Sequence, residues 1–244
     1  MQGLFHRTDE AAHRLPLGIV PGGSGNGLAK SLAHFDQENF TLFNSCLNVV
    51  KGHTHNMDLI KVTTTDRVLY SFLSIGYGFT SDTDIESECL RCLGEARFTI
   101  YSLKLLLELR SYRAKIAYKL KGSNSDTAVV TTEDDFIMVY CVKQPWVTSS
   151  MVIAPLAQLD DGIMWLILIR RGQMTRLRML KIMLGFQNGN HVNEPGVEMY
   201  PVTYFKMEPL SKGSYITVDG EKLDRVCPLE AEIMPKAVKM MKKF

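Results

Sequence analysis

Apolar positions at the start of the chain change their spacing around a run of glycines. Residues 17–20 form a short apolar run that predicts a strand. Residues 21–27, Pro-Gly-Gly-Ser-Gly-Asn-Gly, interrupt it, and apolar residues return at helical spacing over 28–32. A second apolar stretch, 41–50, predicts another helix that stops near Gly52. This α/β portion is too short to close a domain on its own.

From residue 57 onward the apolar positions follow a β pattern. The predicted strands are 58–62, 68–75, 114–120, 136–142, 163–169, 202–207, 215–218 and 229–233. They are short, rich in β-branched and aromatic residues, and separated by Gly, Asp, Asn and Pro, which is typical of an antiparallel sandwich. Two amphipathic stretches, 95–110 and 175–186, predict helical insertions.

The predicted fold class is therefore α/β plus β. Residues 1–54 are interpreted as the C-terminal part of a three-layer α/β domain, and residues 55–244 as an antiparallel β-sandwich with helical insertions. The lysines near the end of the chain are predicted to form a solvated basic tail. They are Lys236, Lys239, Lys242 and Lys243.

Composition narrows the class of protein. The 244 residues are 45% hydrophobic and 22% charged, as in a globular protein, and the net charge of +2 gives no whole-chain case for nucleic-acid binding. The longest strongly apolar run, 163–169, is far shorter than the roughly 20 residues that cross a bilayer. Five cysteines, an odd number, do not indicate a secreted disulfide framework and suit a reducing cytosol.

The glycine run between a strand and a helix has the composition of an anion-binding loop. Glycine lets backbone amides approach a phosphate, and the following helix directs unpaired amides at it. Leu28 and Ala29 exclude a Walker loop, Lys30 excludes the dinucleotide fingerprint, and Asn26 excludes a hydrolase elbow. A glycine-rich turn without a ligand remains the alternative. Gly25 is expected to adopt dihedral angles that only glycine tolerates.

Four motifs give the chain a resemblance to the sphingosine kinase branch of the diacylglycerol kinase catalytic superfamily. In order, they are LPLGIVPGGSGNGLAKSL, SIGYGFTSDTDIESECLRCLGEARFTIYSLK, DGIMWLILIRRG and ITVDGEKL. The resemblance implies a lipid kinase that uses ATP and Mg²⁺, with the nucleotide in a cleft between an α/β nucleotide-binding domain and a β-sandwich lipid-binding domain. It also implies that Ser24, Gly25 and Asn26 line the nucleotide.

Four carboxylates alternate after the glycine-rich strand of the second motif. They are Asp82, Asp84, Glu86 and Glu88. A solvated loop or helix start is the plain interpretation. The alternative is that one carboxylate holds the protonated amine of sphingosine, and the resemblance assigns this substrate contact to Asp84. An acid at this position favours sphingosine over ceramide, whose nitrogen is acylated and uncharged.

Other site residues also follow from the resemblance. Arg91 and Arg97 align with arginines that reach the ATP phosphates, although arginines on a helix are usually surface charges. Phe79 and Phe98 are candidates for lining the lipid tunnel, with core packing as the alternative.

A later motif adds a third group of candidate ATP contacts. Asp219, Gly220 and Glu221 are expected to contact ATP directly or through Mg²⁺ and water, although Asp-Gly is also a common hairpin turn. Cys89 and Cys92, with no second pair, do not indicate a zinc site; at helical spacing they are neighbours on one face. No metal ligand is assigned.

The family pattern begins before this sequence does. A Gly-Asp-Gly string whose Asp serves as general base is absent from the printed chain, so no catalytic residue is assigned and the chain by itself is expected to be inactive, as a fragment or a short isoform. The expected reaction of the family is transfer of the ATP γ-phosphoryl to the primary hydroxyl of sphingosine or sphinganine. The alternatives are a non-catalytic lipid- or nucleotide-binding protein and a ceramide or diacylglycerol kinase relative.

The resemblance also carries expectations about the protein's surroundings. We expect a cytoplasmic protein that associates peripherally with membranes and does not bind nucleic acid. A homodimer is left open.

Overall fold

The computed structural model describes residues 2–7, 15–94, 96–122, 129–172 and 174–243. Its helices are α1 Gln2–Phe5, α2 Gly27–Phe35, α3 Leu42–Lys51, α4 Phe79–Glu86, α5 Ala96–Glu108 and α6 Arg176–Gly185, with 3₁₀ helices at Ser87–Leu93 and Asn190–Asn193. Thr41 and Thr175 cap α3 and α6 by accepting a hydrogen bond from the amide three residues later. Glu95, the first residue of one predicted helix, lies outside the described residues.

The strands form one sheet that folds over itself. They are β1 Pro16–Leu17, β2 His53–Thr64, β3 Val68–Ser71, β4 Ser74–Gly78, β5 Tyr112–Leu120, β6 Val130–Val142, β7 Met164–Arg170, β8 Val197–Pro209, β9 Ile216–Val218, β10 Glu221–Lys222 and β11 Leu229–Lys242. The order is β10-β9-β4-β6-β5-β8-β11-β2-β3, and β7 pairs with both β6 and β8. All described pairings are antiparallel except that of β1 with β11. The predicted fold class, α/β plus antiparallel β with helical insertions, is confirmed, and the strands form one large sheet.

Three apolar clusters fill the molecule. The first lies inside the folded sheet and includes Ile75, Phe136 and Phe205. The second lies between the sheet and helices α4, α5 and α6, and the third packs α2 against β2 and β11. The predicted domain boundary near residue 54 falls at the start of β2. Strand β1, which precedes this boundary, pairs with β11, which follows it. The domain division stays a prediction.

The predicted basic tail is wrong. Residues 229–242 form the long strand β11, which pairs with β2 as far as Lys242. Lys242 is buried and its Nζ lies 2.8 Å from Asp36 Oδ1, because strand pairing brings the lysine onto the end of α2. A register shift between Met234 and Val238 lets the strand continue past Lys236.

The single strand predicted over 68–75 is divided into β3 and β4. The side chain of Asp219 accepts hydrogen bonds from the amides of Phe72, Leu73 and Ser74, at 3.1, 2.9 and 3.0 Å. These amides are therefore unavailable to a neighbouring strand. A residue distant in sequence causes the break.

A buried ion cluster joins β2, the end of β6 and the turn before β7. Lys143 Nζ lies 3.3 Å from Asp58 Oδ2 and 2.8 Å from Asp161 Oδ1, and it donates to the carbonyl of Gln158 at 2.6 Å. Asp58 also accepts from the amides of Gly162 and Lys236. Lys143 and Asp58 are fully buried, so each charge depends on these partners.

Candidate functional site

The glycine loop is shaped by Asn26, the residue before α2. Asn26 has φ 55° and ψ 27°, its Oδ1 accepts from the amide of Gly23 at 3.1 Å, and its Nδ2 donates to the Gly23 carbonyl at 2.5 Å. The carbonyl of Gly25 accepts a hydrogen bond from the amide of Ser149 at 2.7 Å. The loop is thus closed on itself and anchored to the segment that follows β6.

The loop presents an open face. A Cβ atom at Gly22 or Gly25 would meet nothing within 4 Å, whereas one at Gly27 would lie 2.5 Å from the Val147 carbonyl oxygen. Gly25 has no positive φ, so the expectation that it needs dihedral angles that only glycine tolerates is wrong. At Gly27, by contrast, the close backbone of Val147 leaves no room for a side chain. Among described residues, the amides of Ser24 and Gly25 have no hydrogen-bond partner. A phosphate beside the N-terminus of α2 would find both amides available.

The four predicted acids on and after α4 have different surroundings. Asp82 is fully buried and accepts from the hydroxyls of Tyr112 at 2.6 Å and Ser214 at 2.8 Å. Burial raises its pKa, while these hydrogen bonds act in the opposite direction. Asp82 therefore attaches α4 to the sheet.

Glu86 and Glu88 also have partners. Glu86 accepts from Arg110 Nη1 at 2.8 Å and from the hydroxyl of Tyr101 at 2.6 Å. Glu88 forms a 3.3 Å ion pair with Arg91 on the surface. The negative charges of Glu86 and Glu88 are therefore already paired with side chains of the protein.

Asp84 differs from its three neighbours. It is half-buried, and within the described chain its carboxylate accepts no hydrogen bond. Burial raises the pKa of Asp84 to about 6; Arg97 opposes this shift, while Glu88 and Glu221 add to it. Asp84 is a carboxylate without a hydrogen-bond partner in the described chain, which a ligand cation would stabilise.

Arg97 is the basic residue that the structure brings to Asp84. Its guanidinium lies over the ring of Phe98, with 4.4 Å from Cζ to the ring centroid. Arg97 Nη1 is buried and finds no hydrogen-bond partner among the described residues. Arg91, by contrast, has a side chain 76% exposed that pairs with Glu88. The structure therefore brings one of the two predicted arginines to the acid and leaves the other in solvent.

Asp219 and Gly220 form the two-residue hairpin turn between β9 and β10. Both have positive φ, 53° and 84°, as this turn requires. Besides the three amides at the break between β3 and β4, Asp219 accepts from the hydroxyl of Ser71 at 2.6 Å. Burial raises the pKa of Asp219 although these donors favour its charged form. Its carboxylate already accepts four hydrogen bonds from the chain, and its contact with ATP stays a prediction.

The hairpin turn also closes one side of the site. A Cβ atom on Gly220 would lie 3.5 Å from Asp84 Oδ2, so the turn passes close over that carboxylate. Glu221 is exposed beside it and raises the pKa of Asp84 by its negative charge. The hairpin is thus both the turn that the plain interpretation predicts and a wall of the Asp84 site.

The two phenylalanines have different surroundings. Phe79 is buried in the second apolar cluster with Tyr101 and Leu105, at the start of α4. Phe98 is half-exposed beneath Arg97. A role for either in a lipid tunnel stays a prediction.

Sequence reasoning did not find Tyr140. Its hydroxyl is fully buried and donates to Ser74 Oγ at 3.2 Å; its pKa is raised by burial, with contributions from the charges of Asp84 and Asp219. Tyr140 is therefore bonded to Ser74, whose amide Asp219 holds, and the charges of both Asp84 and Asp219 act on its hydroxyl. No local pattern distinguishes it from other strand tyrosines, so only strand pairing could have revealed it.

Two family models match successive parts of the chain. The diacylglycerol kinase catalytic domain matches residues 1–62, and the YegS C-terminal NAD kinase beta sandwich-like domain matches residues 74–242. A solved diacylglycerol kinase from Bacillus anthracis str. Sterne superposes with a TM-score of 0.66 at 18% identity, covering 93% of this chain and 69% of that one. This likeness concerns the fold.

Curated relatives match over almost the full chain. Sphingosine kinase 1 from Mus musculus is 32% identical, and the alignment covers 99% of this chain and 72% of the mouse protein. Sphingosine kinase 1 from Homo sapiens is also 32% identical, with 91% and 67% covered. Sphingosine kinase 1 from Arabidopsis thaliana is 29% identical, with 92% of this chain and 54% of the plant protein covered.

Proposed function

Because the chain belongs to the sphingosine kinase family, whose members are ATP-dependent lipid kinases, we propose that it serves in transfer of the ATP γ-phosphoryl to the primary hydroxyl of sphingosine or sphinganine. The product would be the corresponding 1-phosphate. The observation that carries the choice of substrate is the unpartnered, half-buried carboxylate of Asp84 beside the unpartnered Nη1 of Arg97.

Asp84 suits the amine of a long-chain base. The ammonium is on the carbon next to the one that bears the reacting hydroxyl, so a carboxylate that accepts from the ammonium also fixes the position of the hydroxyl. The partial removal of Asp84 from water strengthens this attraction. A neutral N-acylated lipid would offer no charge and would leave the carboxylate unpaired.

Arg97 and the glycine loop suit the nucleotide. We propose that the open amides of Ser24 and Gly25, in the loop fixed by Asn26, bind phosphate oxygens at the start of α2. The guanidinium of Arg97 would donate to phosphate oxygens, supplying the partner that its buried Nη1 lacks. Arg91 would reach the phosphates only by leaving Glu88.

Mg²⁺ would enter with the nucleotide. The described residues contain no cluster of three His, Cys, Asp or Glu that could hold a metal ion by themselves. A Mg²⁺ ion bound with ATP takes most of its ligands from phosphates and water and needs only one or two carboxylates. Glu221, exposed beside Asp84, is the carboxylate we propose for this role. The ion would neutralise phosphate charge during transfer.

The protein is also proposed to be cytoplasmic and to bind membranes peripherally. No helix in the described part of the chain has the length and hydrophobicity of a transmembrane span. Leu107 on α5 and Leu177 and Leu184 on α6 are all more than 60% exposed, α6 contains no acidic residue, and Arg176 Nε donates to the Leu107 carbonyl at 2.8 Å. Apolar and basic groups on one surface are the composition of an interfacial helix.

The decisive experiment compares two lipids and two variants. Binding of sphingosine and of N-acylsphingosine is measured for the wild type, Asp84→Asn and the control Glu88→Gln, which removes a neighbouring exposed charge. We expect Asp84→Asn to weaken sphingosine binding about ten- to hundredfold, because a hydrogen bond to a charged group contributes about 1.5–3 kcal/mol. The N-acylated lipid should bind poorly to all three.

Equal losses on both lipids would show that Asp84 maintains the fold, and the choice of sphingosine would fail. Transfer of labelled phosphoryl from ATP to sphingosine is measured in parallel. This chain by itself is expected to bind both ATP and sphingosine without transfer, so the same assay is run on a chain extended upstream through a Gly-Asp-Gly string. Binding without transfer by the extended chain would favour the alternative of a non-catalytic lipid- and nucleotide-binding protein.

A further inference from the structure

The 3₁₀ helix Ser87–Leu93 lies in the segment that connects the helix carrying Asp84 to the helix carrying Arg97. It contains Cys89 and Cys92, and both thiols are free and exposed. They are the only two of the five cysteines that lie within three residues of each other. Neither is used by the proposed reaction.

The backbone of this segment brings the two cysteines close together. A 3₁₀ helix has three residues per turn and rises about 2 Å per residue, so side chains three apart eclipse each other about 6 Å apart along the axis. Disulfide-bonded cysteines have Cα atoms roughly 4.4–6.8 Å apart. Cys89 and Cys92 are three residues apart in this helix, on either side of a kink at Leu90, and the first and fourth residues of a turn have Cα atoms less than about 7 Å apart, which is close to that requirement.

The backbone between them can also adjust. Leu90 departs from helical geometry, with φ −106° and ψ 24°, and Gly94 just after the helix has φ 59° with open space around it. The contacts that occupy this turn are weak surface contacts. Cys89 Sγ donates to the Glu86 carbonyl at 3.2 Å, and Arg91 between the cysteines forms its exposed ion pair with Glu88.

We propose that Cys89 and Cys92 are a redox modification site that forms a reversible intramolecular disulfide. The oxidant is a low-molecular-weight disulfide such as oxidised glutathione. One cysteine thiolate attacks a glutathione sulfur and releases one glutathione thiolate, and the second cysteine thiolate then attacks the mixed disulfide and releases the other. Two cysteine thiols lose two electrons and two protons, and one glutathione disulfide becomes two thiols.

The consequence for the site rests on the proposed function. Closing the disulfide draws the two Cβ atoms to about 3.8 Å and fixes the turn that precedes α5. Arg97 is on the first turn of α5, so its guanidinium shifts relative to Asp84. We expect the oxidised chain to bind ATP roughly 2- to 30-fold more weakly, the range over which residues outside a site modulate it.

The test uses a chain with Cys46→Ser and Cys227→Ser, which keeps the fully buried Cys141 and the pair. After incubation with oxidised glutathione, free thiols are counted in denaturant and the mass of the chain is measured. We expect two thiols to disappear, the mass to fall by two hydrogens with no glutathione attached, and dithiothreitol to restore both thiols. The control variant Cys92→Ser should retain one glutathione instead. If both thiols of the Cys89–Cys92 pair persist, or if each of the two cysteines carries a glutathione, the proposal is overturned.

ATP binding by the reduced and oxidised chains separates this proposal from the proposed function. Equal ATP affinity in both forms would overturn the coupling to the site. A reduced chain that does not bind ATP would overturn the proposed nucleotide role, while the thiol count still decides whether the disulfide forms. Hydrogen exchange of residues 87–94, expected to slow on oxidation, reports closure independently of the nucleotide.

Discussion

The Asp84 site and the Lys143 cluster both place a carboxylate that is at least partly removed from water near a basic residue, but their polar groups differ in how many hydrogen-bond partners they have. In the Lys143 cluster the ammonium contacts two carboxylates and a carbonyl, and Asp58 accepts from two further amides. At the other site Asp84 and Arg97 Nη1 have no hydrogen-bond partner within the described chain. Charged groups whose hydrogen-bonding capacity is fully used indicate a structural ion cluster. Charged groups that lack hydrogen-bond partners indicate a place for a ligand.

The largest effect should follow from removing the cation of the saturated cluster. Lys143→Met is expected to lower the free energy of unfolding by about 3–5 kcal/mol, because Asp58 and Asp161 are left without their countercharge. Urea unfolding measures this change. The exposed Lys115→Met is the control and should stay within about 0.5 kcal/mol of the wild type. If Lys143→Met unfolds with the free energy of the wild type, the Lys143 cluster does not stabilise the fold, and the distinction between a structural cluster and a ligand site fails.

The corresponding change at the unsaturated site should affect binding instead of stability. Arg97→Gln is expected to weaken ATP binding about ten- to hundredfold, since a charged hydrogen bond to phosphate is lost, and to change unfolding by less than about 0.5 kcal/mol. Isothermal calorimetry and urea unfolding measure the two quantities. Arg67→Gln, in a surface ion pair with Asp224, is the control. Marked destabilisation by Arg97→Gln would assign the arginine to the fold.

The glycine loop allows the same comparison within three residues. Gly27→Ala should cost about 1–3 kcal/mol of stability, because its Cβ would press on the Val147 carbonyl. Gly25→Ala should leave stability within about 0.5 kcal/mol but weaken ATP binding, because its Cβ projects into the open face. If Gly25→Ala binds ATP as well as the wild type does, phosphate does not occupy that face.

The smallest effect concerns pH. Burial raises the pKa of Asp84 to about 6, and the neutral acid cannot attract an ammonium. Sphingosine affinity should therefore be fully present well above pH 6, be about half lost near pH 6 and fall by up to about tenfold per pH unit below it. Asp84→Asn should bind weakly with no such dependence, which titration of binding between pH 5 and 8 would check. An identical pH profile in the variant would place the titrating group elsewhere.

Sequence reasoning located the elements and the family better than it located contacts. Strands with β-branched runs were found, but the break at Phe72–Leu73 could not be, because it depends on a carboxylate from the distant hairpin. The pairing of the C-terminal lysines was missed for the same reason, since Lys242 meets Asp36 only after β11 has paired with β2.

The candidate site shows a similar limit. The four acids could be recognised in the sequence, and the resemblance singled out Asp84. That Asp82 and Glu86 have partners could not be predicted, because Tyr112, Ser214 and Arg110 reach them through tertiary packing. Spacing along a chain identifies groups that can react, and only packing determines which of them remain available.

The long strand β11 sets the order in which this protein can fold during synthesis. It contacts β1, β2 and β8, so residues near both ends of the chain must meet before the third apolar cluster is closed. On the ribosome, β2 therefore leaves the exit tunnel long before its partner exists and carries an unpaired edge during elongation. Slow folding and dependence on chaperones until residues 229–242 emerge are the expected consequence of pairing β1, β2 and β8 through one late strand.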